Sequence, residues 1–284
     1  MRPEDRIDGK KRPFTGAEYL DSLKDSREIY IYGERVEDVT THPAFRNSAR
    51  TMARLYDALH DPKKQAELTC ETDTGSGGFT HKFFRVARSA EDLVGQRDAI
   101  AAWSRMSYGW RGRTPDYKAS LMNTLGANAP FWGDYAENAK TWYRRVQESV
   151  CFMNHAIVNP PVDRHKAADQ VKDVFITIDR ETDAGIYVSG AKVVATSAAL
   201  THYNFLGQNM SAEITDDDLA VMFIAPMDAP GVKLFCRGSY EMQAATMGTP
   251  FDYPLSSRFD ENDAIFVFDD VFIPWEDVLV HRDI

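Results

Sequence analysis

The spacing of apolar residues changes near residue 165, and this change constrains the fold more than any other feature of the chain. Before it, apolar side chains recur at helical spacing, as along residues 43–60. After it, short runs rich in β-branched and aromatic residues, such as 174–179, alternate with Asp, Gly, Pro and Asn. The sequence therefore predicts an α+β protein, mainly helical over residues 1–165 and an antiparallel β-barrel or sandwich over residues 166–284.

Helix-start signals punctuate the first half of the chain. Thr15 and Glu18 have the spacing of a capping box, and Ser89 precedes another helical run. Thr114 followed by Pro115 predicts a third start, because threonine caps free amides and proline gives up an amide that had no partner. A longer helix is predicted from about residue 134 to residue 154, ended by the prolines at 160 and 161.

Composition excludes several classes of protein. The formal net charge is −10 over 284 residues, whereas a nucleic-acid partner calls for a basic face. No run approaches the roughly 18 apolar residues of a membrane span, and residues 1–6 lack the apolar core of a signal peptide, so we expect a cytoplasmic protein with no membrane partner. The isolated Cys70, Cys151 and Cys236 suit neither a disulfide framework nor a zinc site. We expect no metal site.

Two segments about forty residues apart have the residues of a binding pocket. Arg113 and Tyr117 flank the helix start at Thr114, where unpaired amides, a partial positive charge and the guanidinium favour a negative oxygen such as a phenolate or carboxylate. The second segment contains His155 and ends at Arg164. A helix start of this kind is usually only structural, so the pattern alone is weak evidence for a site.

Longer motifs carry a resemblance to a known family. They are THKFFR at residues 80–85, YGWRGRTPDYK at 108–118, NHAIVNPPVDR at 154–164 and FDDVFIPWEDV at 268–278. With the order of helices and β-domain, they resemble the large oxygenase components of the 4-hydroxyphenylacetate 3-hydroxylase family over the whole chain. The resemblance implies an acyl-CoA dehydrogenase-like fold, of which this chain has the N-terminal helices and the middle β-domain. The expected C-terminal four-helix bundle is absent from the chain.

The resemblance also implies a reaction. A separate flavin reductase would supply reduced FAD, and dioxygen would add to it to give a C4a-hydroperoxyflavin. Its electrophilic oxygen would hydroxylate a small phenol, such as 4-hydroxyphenylacetate, ortho to its hydroxyl group and yield a catechol. The protein would hold the phenol near the flavin and exclude water. A homo-oligomer, such as a tetramer, is expected of the full-length enzyme.

Site residues follow from the resemblance, position by position. It implies catalytic and phenol-binding roles for Arg113, Tyr117 and His155, and histidine suits proton acceptance because its ordinary pKa is near 6.5. Two further phenol contacts are expected, Gln208 and Asn209. The expected flavin contacts are His155, Ala156, Ile157, Val158, Pro161, Val162, Asp163, Arg164 and Thr196.

Two other functions remain open at this point. One is a 4-hydroxybutyryl-CoA dehydratase-like FAD enzyme, which would need cysteines to hold an iron–sulfur cluster, and the scattered cysteines support it poorly. The other is a non-catalytic fragment or binding module.

Overall fold

A computed structural model describes residues 2–7, 9, 11–163, 165–166, 168–208 and 216–283. In the described residues, the helices are α1 (Gly16–Ser22), α2 (Arg46–His60), α3 (Gln65–Leu68), α4 (Ala90–Arg105), α5 (Ala119–Ala127), α6 (Ala136–Ser149) and α7 (Tyr240–Met247). Short 3-10 helices cover Pro3–Ile7, Lys82–Phe84, Pro115–Lys118, Ala129–Tyr135, Ala168–Val171, Ala198–Leu200, Asp217–Leu219 and Trp275–Asp277.

The strands form three sheets in the described parts of the chain. In chain order they are β1 (Glu28–Ile31), β2 (Glu34–Arg35), β3 (Thr69–Glu71), β4 (Phe79–His81), β5 (Met153–Ala156), β6 (Thr177–Thr182), β7 (Gly185–Lys192), β8 (Tyr203–Leu206), β9 (Val221–Pro226), β10 (Val232–Cys236), β11 (Ala264–Pro274) and β12 (Val278–His281). One sheet has the order β2-β1-β10-β11-β7-β6, a second has β12-β9-β8-β5, and β3 pairs with β4. The predicted α+β class is confirmed.

The predicted helix starts are largely confirmed. Thr15 and Glu18 form a capping box, in which the Thr15 hydroxyl accepts the Glu18 amide and the Glu18 carboxylate accepts the Thr15 amide at 2.8 Å. Ser89 caps α4 by accepting the amide of Asp92. The predicted end of the long helix near residue 154 is wrong, because α6 ends at Ser149. Val150 adopts a left-handed conformation there, which turns the chain into β5.

Strands from both halves of the chain share the two larger sheets. Within residues 166–284 the described strands pair antiparallel, as expected. The parallel pairs join the halves: β1 pairs with β10, and β5 pairs with β8. The sequence does not predict β5 as a strand, since the helix is predicted to run to about residue 154. The boundary near residue 165 stays a prediction, but the hydrogen-bonded sheets cross it.

The core also crosses that boundary. The Tyr19 hydroxyl donates to the Leu200 carbonyl at 2.8 Å, and the Ser22 hydroxyl lies 2.8 Å from the His202 ring. The Tyr19 ring stacks on Tyr56 with centroids 4.8 Å apart. Burial of these polar groups is tolerated because each has a partner. No described helix is long and apolar enough to cross a membrane.

Gly190 in β7 gives the first testable prediction. Its φ is +123°, and an added Cβ would lie 2.1 Å from the carbonyl oxygen of Phe175. We expect Gly190→Ala to lower the free energy of unfolding by about 3 kcal/mol or more. The matched control is Gly95→Ala in α4, where the new Cβ would lie 3.7 Å from Cδ of Lys82, an ordinary contact, and alanine should stabilise by about 0.5–1 kcal/mol. Urea unfolding of both variants tests the pair, and equal midpoints would contradict it.

Candidate active site

The parallel pairing of β5 with β8 fixes the position of His155. In this register, His155 lies opposite Phe205 and Ala156 opposite Leu206. Because the strands are parallel, the two segments that follow them leave the sheet at the same edge. His155 is half-buried near this edge.

The segment before α5 brings a second group of residues to His155. Pro115 is at the start of the 3-10 helix Pro115–Lys118, as predicted. The expected side-chain cap is wrong, because the Thr114 hydroxyl instead donates to the buried carboxylate of Asp116. Burial raises the pKa of Asp116 to about 6. Asp116 thus lies in the interior, whereas the next residue, Tyr117, is half-buried and faces His155.

Tyr117 is the centre of the candidate site. Its ring centroid lies 5.7 Å from that of His155, with the planes inclined by 31°. The guanidinium carbon of Arg113 and the amine of Lys118 each lie 4.1 Å from the Tyr117 centroid. Both distances are within the range of cation–π contacts. The structure thus brings together Arg113, Tyr117 and His155, and adds Lys118.

A loop from the second half of the chain holds Arg113 in place by its backbone. The Glu261 carboxylate accepts the Arg113 amide at 2.6 Å, and the Asp260 carbonyl accepts the buried guanidinium of Arg111 at 2.8 Å. The guanidinium of Arg113 is left to face Tyr117. Among the described residues, no salt bridge joins it or the Lys118 amine to a carboxylate.

Burial and these cations together set the protonation state of the site. Burial, then the charges of Lys118 and Arg113, lower the pKa of His155 to about 4. Burial, then the charge of Arg113, lowers the pKa of Lys118 to about 8. At neutral pH the imidazole is therefore neutral and the amine mainly charged. The buried Nδ1 of His155 has no hydrogen-bond partner in the described residues. A positive field and an unused polar atom together favour an anionic oxygen.

Most of the expected flavin contacts lie on one continuous segment, residues 155–163, which begins in β5 and is called the strap below. Ala156 is buried, Ile157 and Val162 are half-buried, and Val158, Pro161 and Asp163 are exposed. The Val158 carbonyl accepts the amide of Val193 at 2.9 Å, which ties the strap to the end of β7. Arg164 lies outside the described residues. The flavin roles of these residues stay predictions.

Other predicted contacts have partners within the protein. The Thr196 hydroxyl donates to the Asp263 carboxylate at 2.5 Å. The Gln208 amide oxygen accepts from Lys192 at 2.7 Å, and its amide nitrogen donates to the Leu219 carbonyl at 2.8 Å. Asn209 lies outside the described residues. The ligand-binding roles of Thr196 and Gln208 also stay predictions.

Sequence reasoning missed two lysines. Lys118 is the last residue of the YGWRGRTPDYK motif, so its position next to Tyr117 was a usable signal. Lys192 is the last residue of β7, and only its burial distinguishes it. A separate cavity of about 610 Å³ is lined in part by Arg50, Arg54 and Arg258, and it includes none of the predicted site residues.

The site fits a flat, electron-rich aromatic group that carries negative charge. Two rings inclined by 31° offer flat surfaces to such a group, and its charge would meet two cations and an unused ring nitrogen that have no carboxylate or hydrogen-bond partner in the described residues. In the described residues, no cluster of His, Cys, Asp and Glu could hold a metal. The Cys151 thiol lies 3.0 Å from the Ser149 hydroxyl in the core. The described cysteines therefore form no such cluster in this part of the chain.

Comparison with known proteins gives a consistent result. Residues 15–280 match the family model described as 4-hydroxyphenylacetate 3-hydroxylase N terminal. The chain is 66% identical, over 100% of its length and 55% of the relative, to the 4-hydroxyphenylacetate 3-monooxygenase oxygenase component of Pseudomonas aeruginosa. It is 62% identical, over 95% of its length and 52% of the relative, to the oxygenase component of 4-nitrophenol 2-monooxygenase from a Rhodococcus species.

A solved structure agrees with these relatives. The oxygenase component of 4-hydroxyphenylacetate 3-monooxygenase, complexed with FAD and 4-hydroxyphenylacetate, superimposes with a TM-score of 0.87 at 34% identity. The match covers 95% of this chain and 56% of that one. The chain spans about half the length of the relatives it matches.

Lys118 gives the second prediction. Because its charge lowers the pKa of His155, Lys118→Met should raise that pKa. The value should stay below 6.5, since burial is the largest cause of the shift and remains. An NMR titration of the imidazole measures it. Lys140→Met, which removes an exposed lysine of α6, is the control and should leave the titration of His155 unchanged. An unmoved His155 pKa in Lys118→Met would show that the two groups do not interact.

Proposed function

Because the chain belongs to the 4-hydroxyphenylacetate 3-hydroxylase family, we propose that it is the flavin- and phenol-binding part of an FADH2-dependent aromatic monooxygenase. The reaction is hydroxylation of a para-substituted phenol ortho to its hydroxyl group, giving a catechol. The observation that carries the proposal is the neutral His155 near two cations that have no carboxylate partner among the described residues, all gathered around Tyr117.

The residues expected to hold FAD are Thr196 and, within the strap of residues 155–163, residues 155–158 and 161–163. When bound, reduced FAD supplies, with dioxygen, the electrophilic oxygen that is transferred to the ring. The rest of the work belongs to the protein. Tyr117 and His155 provide flat surfaces against which an aromatic ring can lie, and their partial burial keeps water from the reacting atoms.

Arg113 and Lys118 favour the phenolate form of the substrate. A free phenol has a pKa of about 10, and a cation within about 4–6 Å stabilises the charged oxygen. The phenolate ring is the more electron-rich form and reacts faster with an electrophilic oxygen.

His155 accepts a hydrogen bond from the phenol hydroxyl and takes its proton as the phenol ionises. Burial, then the charges of Lys118 and Arg113, lower its pKa to about 4, so the imidazole is neutral before the substrate binds. A bound phenolate compensates those cations, so the imidazole becomes a better proton acceptor when the substrate is in place.

Partners and substrate follow from the relatives. Oxygenase components of this kind work with a separate reductase, and we propose such a partner here, together with a cytoplasmic location and a homo-oligomer. Relatives at 66% and 62% identity are named for different phenols, 4-hydroxyphenylacetate and 4-nitrophenol. The proposed substrate is therefore the class of para-substituted phenols. A screen of such phenols with reduced FAD and the complete gene product, followed by catechol formation, tests the function.

His155→Ala should uncouple hydroxylation from flavin oxidation. Catechol formation should slow by about 10²–10⁴, the usual loss for an acid–base group, while flavin oxidation continues and hydrogen peroxide accumulates. His42→Ala, at a histidine just before α2, is the control and should behave as the parent. Rates of catechol and peroxide formation measured together decide the outcome. A His155→Ala enzyme that forms catechol at the parent rate without extra peroxide would refute the role.

The cationic site should bind reduced FAD more tightly than oxidised FAD. The reduced ring is anionic near neutral pH, whereas the oxidised ring is neutral, so Arg113 and Lys118 favour the former. We expect a preference of at least about tenfold, which needs only about 1.4 kcal/mol of charge interaction. Anaerobic titration with both forms measures it, and Lys118→Met should reduce the preference. Equal affinity for the two forms would count against the proposed function.

A further inference from the structure

Lys192 is a buried amine that joins two separate chain segments. It is the last residue of β7, and only 1% of its surface is exposed. Its Nζ donates to the Asn159 amide oxygen at 2.6 Å and to the Gln208 amide oxygen at 2.7 Å. No salt bridge to a carboxylate is found for it among the described residues, and burial is the cause that lowers its pKa to about 7.

The orientation of Gln208 shows that this contact is specific. Its amide nitrogen donates to the Leu219 carbonyl at 2.8 Å, and a carbonyl can only accept. The Gln208 oxygen therefore has to face the opposite side, where the Lys192 amine lies. Two amide oxygens match the two N–H groups that the amine retains even when it is neutral, so the contacts persist in both protonation states.

Topology explains what the two contacts connect. Asn159 follows the carboxyl end of β5, and Gln208 follows the carboxyl end of β8, its parallel neighbour. Lys192 reaches both from a strand of the other large sheet. The neighbouring backbone bond between Val193 and Val158 fixes the end of β7 against the same segment. A shift of either chain exit therefore has to stretch or break a bond to one shared amine.

We propose that Lys192 is a positioning residue that couples flavin binding to phenol binding. The inference rests on the proposed function, in which Asn159 lies within the flavin strap and Gln208 is a phenol contact. Flavin that orders the strap fixes Asn159, and through the amine it fixes Gln208 in the orientation that the phenol meets. By linkage, phenol that fixes Gln208 tightens flavin binding by the same factor. Lys192 itself need not touch either ligand.

A thermodynamic cycle on the complete gene product tests the coupling. Anaerobic calorimetry gives the affinity for 4-hydroxyphenylacetate without flavin and with saturating reduced FAD, and the ratio is the coupling factor. We expect a parent factor of about five or more, within the usual range of such couplings, and a factor near one for Lys192→Met. Lys233→Met is the matched control. It removes a partly exposed lysine that forms a salt bridge with Asp269 on a neighbouring strand, and it should keep the parent factor.

Further variants guard against simple loss of folding. Asn159→Ala and Gln208→Ala each remove one contact, and each should lower the coupling factor while the Lys192 side chain remains. In the Lys192→Met background, neither should have a further effect on the factor. Circular dichroism identifies any variant that does not fold.

The outcomes separate this inference from the proposed function. Parent protein that binds neither phenol nor reduced flavin would refute both. Parent protein that binds both ligands without coupling, or a folded Lys192→Met protein with the parent factor, would refute only the role of Lys192. A uniform weakening of both affinities with an unchanged factor would also refute it, because that is the signature of a merely structural lysine.

Discussion

The parallel pairing of β5 with β8 is the interaction on which the site depends. It makes residues 153–156 a strand rather than a continuation of α6, and it places His155 opposite Phe205 in the sheet. It also places Asn159 and Gln208, which follow β5 and β8, at the same edge of the sheet, because the carboxyl ends of parallel strands lie together. The cations around Tyr117 and the Lys192 contacts are then built at the edge that this single pairing creates.

Local chemistry was readable from the sequence, and long-range pairing was not. The Thr15 capping box and the Ser89 cap are decided within four residues, and both were predicted correctly. The helix predicted to residue 154 ran too far, since residues 150–156 are apolar enough for either a helix or a buried strand. Only the partner strand, some fifty residues later, decides between them. At Thr114, the buried Asp116 competes successfully for the hydroxyl that was expected to cap the helix.

The same limit applies to the site. The family resemblance of two motifs predicts Arg113, Tyr117 and His155 as a group, and the structure brings them together, although their roles stay predictions. The sequence could not predict the net charge of the site, because that charge depends on whether the fold places a carboxylate next to each cation. Glu261 is near, yet it accepts the backbone amide of Arg113 and leaves the guanidinium to the ring of Tyr117. The chain as a whole has a net charge of −10, so it is the fold that gathers the cations Arg113 and Lys118 at one place, with no carboxylate partner in the described residues.

Lys192 shows how a cost in stability identifies a positioning role. An apolar side chain of similar length would fill the same buried space without the penalty that lowers the amine's pKa to about 7. What methionine lacks is the pair of N–H groups that meet Asn159 and Gln208. Burying the amine of Lys192 costs stability, and in the described residues its side-chain bonds go to Asn159 and Gln208. Its contribution is therefore to fix the positions of the segments after β5 and β8 relative to each other, rather than to stabilise the core. Arg111 is also buried, but its guanidinium donates to the Asp260 carbonyl at 2.8 Å and to the Ser197 hydroxyl at 3.1 Å, so these bonds do not reach the segments after β5 and β8 that Lys192 joins.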